Sequence, residues 1–361
     1  MRRFLSLAFL CILGAMIIGY AGQQLKHYQH PDRTVWMLRA QELNGEPIQT
    51  MILGDSQAMS GIRPDLFNAD SGRVINMGLP SAQPEALISF IPYLEEHSVD
   101  TLIVNISPYS LYHTEVFDAF LNYYRHEFIS VRWPSANRMY LYGSSAGEAL
   151  GTVFSGVGLY RLNSAIRNLA TDTNNSFIVQ PGPFPGIGYG IPEGEALLKE
   201  PSLLEKMRNI RRMNQSIEEI LRSTNGFWTW RDFKEPSRSR CDTEELKPLP
   251  ATLRFKERPE AVQAWQDFLN LASPHVGRIV LIRIPFSKSW HDTVDKILPS
   301  AKVSSDIQSI LGNLDYPEKV VYLSEGKDFP NSEFYDWNHL DYCGARKYTL
   351  FLLEQMQDQK K

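Results

Sequence analysis

Cysteine is scarce in this chain: three residues in 361, at positions 11, 241 and 343. No two of them stand at the close spacing of a zinc site, which argues against a thiolate metal centre. A dominant basic run is also missing. The 37 Lys and Arg are set against 41 Asp and Glu, a formal net charge of −4. That balance argues against nucleic acid as a partner. The local cluster Arg208, Arg211 and Arg212 is surrounded by acidic residues and reads as a solvated helix face. Internal repeats and low-complexity tracts are absent too. The glycines of "QPGPFPGIGYGIPEGE", Gln180 to Glu195, follow no strand and match no phosphate-loop spacing, so the stretch reads as a surface loop or lid. No cofactor is expected. What is present is ordinary for a globular chain: 43% hydrophobic and 22% charged residues.

One feature of the composition stands apart. Met1-Arg2-Arg3 precedes "FLSLAFLCILGAMIIGYAG", Phe4 to Gly22, which carries no charge. The segment is near the length that spans a bilayer, and the arginines should stay in the cytoplasm. It reads as a retained signal anchor over residues 1–22. A secretory signal cleaved after Gly19-Tyr20-Ala21 is the competing reading. Either sends the remainder out of the cytoplasm. There a disulfide between Cys241 and Cys343 can persist, although two unpaired thiols fit the sequence as well.

Residues 23–47 read as a polar connector with an amphipathic piece near Trp36 to Leu43. An α/β pattern follows over 48–361. Strands are predicted at Ile48 to Gly54, Arg73 to Met77, Asp100 to Ser107, Arg278 to Pro285 and Lys319 to Ser324. The near-continuous apolar run "DTLIVNIS" suits a strand buried on both faces of a parallel sheet. Helices are predicted at Pro84 to His97, which Pro92 should kink, at Arg258 to Ala272 and at Gly344 to Gln357. Between about 111 and 257 the alternation stops, and a long, mainly helical insertion is expected. It includes an amphipathic helix with Leu203, Met207, Ile210, Ile217 and Leu221 on one stripe. "RDFKEPSRSRCDTEELKPLP", Arg231 to Pro250, reads as an exposed loop.

Two short motifs carry chemistry. "MILGDSQAMSGIRPDLF", Met51 to Phe67, ends an apolar strand in Gly-Asp-Ser and places Ser56 at the rim of the sheet, where ligands bind in open α/β folds. A turn whose Asp and Ser cap backbone groups is the plainer reading. "FYDWNHLDYCGARKYT" places Asp336 three residues before His339, ahead of a helix. A carboxylate there can accept the imidazole Nδ1–H and leave Nε2 as a base for a serine. An Asp-x-x-His pair also fits a helix cap beside a surface histidine. Ser56 lies in Gly54-Asp55-Ser56-Gln57-Ala58, which is not the G-x-S-x-G elbow.

"GDSQ" after the first strand, with "DWNH" before the last helix, resembles the SGNH/GDSL hydrolase superfamily. "ILGDSQAMSGIRPDLF", "INMGLPSAQP" and "YDWNHLDYCGARKYT" are similar to its membrane-anchored, DltD-like and acyltransferase-associated branch. The resemblance covers about the first 60 residues of the soluble part and about the last 100. It implies a flavodoxin-like three-layer sandwich with a parallel five-stranded sheet, here interrupted by the insertion. It implies a cell-envelope location, held at the bacterial cytoplasmic membrane by one N-terminal helix with the soluble domain on the periplasmic or extracellular side. The partners it implies are an envelope polysaccharide or acyl donor and a membrane-bound O-acyltransferase.

Carried over residue by residue, Ser56 matches the nucleophile, and its N–H an oxyanion donor. Gly78 in "NMGLP" matches a second donor, and Asp336 and His339 the last block. Where the family offers Gly-x-Asn-Asp after the third strand, this chain has "SPYS", Ser107 to Ser110. Asn105 and Ser110 are the nearby candidates for binding the oxyanion or substrate. Arg283 and Tyr109 are secondary ones. Trp228, Trp230 and Tyr189 could stack on a glycan or form local core. Two functions are therefore expected as alternatives. One is a serine esterase or O-acyltransferase acting on envelope polysaccharide esters. The other is a non-catalytic module that binds polymer or a partner.

Overall fold

The computed structural model describes residues 31–68, 72–80, 82–113, 203–228, 255–323 and 329–359, with isolated positions 6, 14 and 28. The apolar segment at 4–22, the glycine-rich stretch at 180–195, the loop at 231–250, and Tyr189, Trp230 and Cys241 lie outside them. Among the described residues no helix is long and apolar enough to cross a membrane.

The chain enters through helix α1 (Pro31–Glu42) and strand β1 (Thr50–Leu53), then the short helix α2 (Ser56–Gly61) and strand β2 (Val74–Asn76). Helices α3 (Pro84–Leu87) and α4 (Ile91–Glu96) lead to β3 (Val99–Asn105). After α5 (Pro108–Leu111) and β4 (Tyr112–His113) comes α6 (Leu203–Ser223). The remaining elements are β5 (Lys256–Glu257), α7 (Pro259–Ala272), β6 (Val276–Ile282), α8 (Lys288–Val294), α9 (Ser300–Leu311), β7 (Val320–Leu323) and α10 (Tyr342–Asp358).

Five strands form one parallel sheet in the order β2-β1-β3-β6-β7. Counted among themselves they run 2-1-3-4-5, a common order of doubly wound α/β proteins. All five strands expected from the sequence are present, each a little shorter than its apolar run. In β3 every residue except Asp100 is buried, because helices cover both faces of the sheet. On one face Met51, Leu53, Leu102, Val104, Ile279 and Leu281 pack with residues of α3, α4, α7 and α9. On the other, Ile52, Ile103, Val280 and Ile282 pack with Ala58 of α2 and with Ala345, Tyr348 and Leu352 of α10. Alternate residues of each strand face opposite layers, as the two-residue strand period requires.

Two stretches differ from the sequence reading. The single helix expected over Pro84 to His97 is broken into α3, a 3₁₀ turn (Ile88–Phe90) and α4. Pro92 lies in the first turn of α4, where its missing N–H costs nothing. The connector expected at 23–47 holds α1, and Thr34 to Ala40 of that helix are all buried. The amphipathic piece expected near Trp36 to Leu43 falls largely within it, and the helix is covered on two sides. Trp36, Ala40 and Leu43 join the main core, while Val35, Met37 and Leu38 pack with Ile217 and Leu221 of α6.

The β4–β5 pair is antiparallel, with Tyr112 opposite Glu257 and His113 opposite Lys256. This ribbon brings together chain positions 112 and 257. From within the same long excursion, α6 and the turn after it return to the sheet. Asn76 N–H, on the outer edge of β2, donates to the Asn225 carbonyl at 2.9 Å. This outward N–H of the edge strand β2 is thereby paired.

Candidate active site

The site is assembled where the sheet strands end. Gly54 follows β1 with φ +143°, a conformation that L side chains rarely adopt. A Cβ there would also come within 2.8 Å of Asn105 Cβ and 2.9 Å of Ala58 Cβ. Glycine therefore lets the chain turn sharply out of the sheet and start α2 at once. Asp55 caps α2: its Oδ1 accepts the Gln57 N–H at 3.0 Å. The same carboxylate accepts Asn105 Nδ2–H at 3.1 Å and the Ser107 hydroxyl at 2.6 Å. Burial pushes its pKa up, and these three donors offset part of that rise.

Ser56 is the first residue of α2 and remains partly exposed. Its Oγ lies 2.7 Å from His339 Nε2. His339 Nδ1 lies 2.8 Å from Asp336 Oδ2. Asp336 Oδ1 accepts the backbone N–H groups of Asn338 at 3.0 Å and His339 at 2.8 Å. The loop that carries the pair is closed by a bridge between Phe334 and Leu340 and by Tyr335 N–H donating to the His339 carbonyl. Asp341 caps α10 directly after it through the Gly344 N–H.

The electrostatics suit a base. Burial pulls the His339 pKa down, but the Asp336 charge, its hydrogen bond to Nδ1 and the more distant Asp55 outweigh this and hold it above the ordinary histidine value. Burial pushes Asp336 up, yet His339 and the two backbone donors win, and it stays below the usual carboxylate range. Asp336 is thus ionised at neutral pH. It accepts Nδ1–H and leaves Nε2 to accept the Ser56 hydroxyl proton.

The candidate oxyanion and substrate residues have other tasks. The Gly78 N–H donates to Asn76 Oδ1 at 2.9 Å rather than into the space beside Ser56. Its lack of a side chain serves packing, since a Cβ would lie 2.6 Å from the Met59 backbone nitrogen. Asn105 bridges strand ends, donating to Asp55 and accepting the Ile284 N–H at 3.0 Å. The Ser110 hydroxyl donates to the Ser107 carbonyl at 2.7 Å, and the side chain is buried. Arg283 follows β6 and is 7% exposed, so it does not reach into solvent as a substrate-binding arm would. Trp228 is 1% exposed and packs with Met59, Leu221 and Tyr335; it is core and no glycan platform. Tyr109 keeps partial exposure, with its ring against Phe255, Phe286 and Trp290. Its pKa is raised well above the ordinary tyrosine value, by burial first and then by the charges of Asp336 and Asp55, so the hydroxyl stays protonated beside the site.

That leaves the Ser56 N–H as a backbone donor beside the Ser56 hydroxyl that has no hydrogen-bond acceptor among the described residues. It is the first amide of α2, one of the donors that a helix start leaves unused.

Asn76 and Gln57 complete the site, and the sequence motifs did not single them out. Asn76 is fully buried, and its Nδ2 donates to the carbonyls of Ala58 at 2.7 Å and Ile62 at 2.8 Å. It thus joins the far end of α2 to the Gly78 loop. Gln57 Nε2 donates to the Asn338 carbonyl at 2.9 Å, tying the serine segment to the histidine loop. The one available signal was a polar residue ending an apolar strand in "RVIN". Among the described residues no group of acidic, histidine or cysteine side chains is arranged to hold a metal ion. No family model and no curated protein matches the chain.

Proposed function

We propose that the protein is an SGNH-like serine esterase or O-acyltransferase that acts on acyl esters of a cell-envelope polysaccharide outside the cytoplasm. The observation that carries this reading is the unbroken relay from Ser56 through His339 to Asp336, with separations of 2.7 and 2.8 Å. Ser56 Oγ attacks the ester carbonyl as its proton passes to His339 Nε2. The oxyanion that forms is met by the Ser56 N–H. Collapse of the tetrahedral adduct breaks the ester C–O bond, and His339 returns the proton to the departing alcohol oxygen. Water or a sugar hydroxyl, deprotonated by His339 Nε2, then attacks the acyl-serine carbonyl; collapse breaks the acyl carbon–Ser56 Oγ bond as His339 returns the proton to Oγ. Asp336 holds the imidazole tautomer throughout. Water as acceptor makes an esterase; a sugar hydroxyl makes a transferase.

Two further observations support the setting. The five-stranded sheet with this strand order, and the serine and histidine loops at its strand ends, fit the SGNH resemblance of the motifs. Cys343 is disulfide-bonded, and such bonds persist outside the reducing cytoplasm.

The engagement of the Gly78 N–H and Asn105 favours a second reading, a non-catalytic module that binds polymer or a membrane-bound acyltransferase. Hydrolysis of a small acyl ester, such as p-nitrophenyl acetate, separates the two. The catalytic reading expects turnover by the wild type and a loss of about 10⁴-fold or more in Ser56→Ala. Equal, background-level rates for both proteins would leave the binding module.

A further inference from the structure

Arg39, on α1, is an unusual buried charge among the described residues. Its side chain is 3% exposed, and among the described residues no carboxylate forms an ion pair with it. Burial pulls the guanidinium down to about 9, with the charge of Glu42 opposing; Glu42 itself pairs with Arg73. A buried cation without an ion-pair partner is costly and calls for strong compensating hydrogen bonds. Those bonds go to two carbonyls. Arg39 Nε–H donates to the Gly78 carbonyl at 3.3 Å, and Nη2–H to the Gly226 carbonyl at 2.6 Å. Three residues earlier on the same helix, the Trp36 indole donates to the Pro80 carbonyl at 3.2 Å.

All three contacts fall on segments bonded to the turn and helix that carry Ser56. The Gly78 loop is joined to the serine turn by Leu79 N–H donating to the Gly54 carbonyl at 2.9 Å. The Gly78 peptide is held on both sides, its N–H by Asn76 and its carbonyl by Arg39. Gly226 belongs to the turn after α6. Two residues on, Trp228 N–H donates to the Met59 carbonyl of α2 at 3.2 Å. Trp228 also packs in one cluster with Met59 and Tyr335, the latter next to Asp336.

We infer that Arg39 is a positioning residue for the Ser56 chemistry: its guanidinium fastens the loop beside the nucleophile to the turn after α6, and so fixes where Ser56 stands relative to its base. The inference rests on the catalytic reading of Ser56. A planar fork that donates in two directions does this, and a lysine, with one ammonium, cannot span both carbonyls in the same way. Displacing a reacting group by about 1 Å costs on the order of 100-fold in rate.

The test compares wild type, Arg39→Met and Arg39→Lys in p-nitrophenyl acetate hydrolysis, with thermal unfolding measured on each. The expected result is a kcat about 100-fold lower in Arg39→Met at nearly unchanged KM, measured well below its unfolding temperature, with Arg39→Lys intermediate. A folded Arg39→Met with wild-type kcat overturns the inference. So does a loss of rate that merely follows the unfolded fraction, or failure of both variants to fold, since either makes Arg39 a folding residue alone. An inactive wild type overturns the catalytic reading itself and this inference with it.

Discussion

Asn76 is a polar side chain with no exposed surface, next to apolar Ile75 and Met77, and it makes bonds at both ends of its amide. Arg39 is similar, with partners 39 and 187 residues away in the chain. Neither was legible in the sequence, because a buried polar residue is identified by its partners and these partners are backbone N–H and carbonyl groups that carry no sequence signal. Ser56, Asp336 and His339 were legible for the opposite reason. The proposed acyl transfer needs those residue types, and the turns that present them need Gly54 and a tight Asp-x-x-His spacing. The raised pKa of His339 has a kinetic consequence. The base works only when neutral, so the acid limb of kcat/KM for ester hydrolysis should lie above the usual histidine value. In Asp336→Asn the charge that raises it is gone and burial remains. The residual activity, about 10⁴-fold lower, should have its acid limb moved to lower pH. A limb that stays in place in this variant would show that Asp336 does not set the protonation of His339.

At the scale of elements, the regular periodicities were readable and the interruptions less so. The strands and α7 and α10 are amphipathic or wholly apolar for plain reasons of layer and face, whereas α9 was not read from the sequence. Helix α1, read only as an amphipathic piece of a polar connector, is buried because both of its sides are covered, one of them by α6, which lies more than 150 positions later. Helix α10 carries a prediction of its own. Cys343 lies in its first turn, shortly after the histidine loop, and is disulfide-bonded. The sequence leaves Cys11 and Cys241 as partners, and Cys11 belongs to the apolar N-terminal segment. Peptide mapping without reductant should therefore find Cys343 joined to Cys241. Cys343→Ser should lower stability by about 2–4 kcal/mol in denaturant unfolding. A free thiol at position 343 in the unreduced protein would contradict the bridge.

Over the whole molecule, five strand ends converge on one rim. Ser56 follows β1, the Gly78 loop follows β2, Ser107 and Tyr109 follow β3, Arg283 follows β6, and Asp336 and His339 follow β7. A doubly wound sheet gathers at one rim residues that lie 280 positions apart in the chain, and the alternation of strands and helices made that rim legible. What the sequence could not show is how the long excursion between 113 and 256 returns to the sheet, because its hydrogen bonds to Asn76, Arg39 and Met59 are made by backbone groups of Asn225, Gly226 and Trp228. The central claim is that this rim makes Ser56 a nucleophile by giving it His339 as a base. Covalent labelling with a fluorophosphonate, read by mass spectrometry of the intact protein and of the Ser56 peptide, tests it most directly. A serine hydroxyl reacts slowly without its base. The account predicts one adduct per wild-type chain, located on Ser56, and almost none in His339→Ala at the same exposure. An unlabelled wild type, or a His339→Ala variant that labels as fast as the wild type, would contradict it.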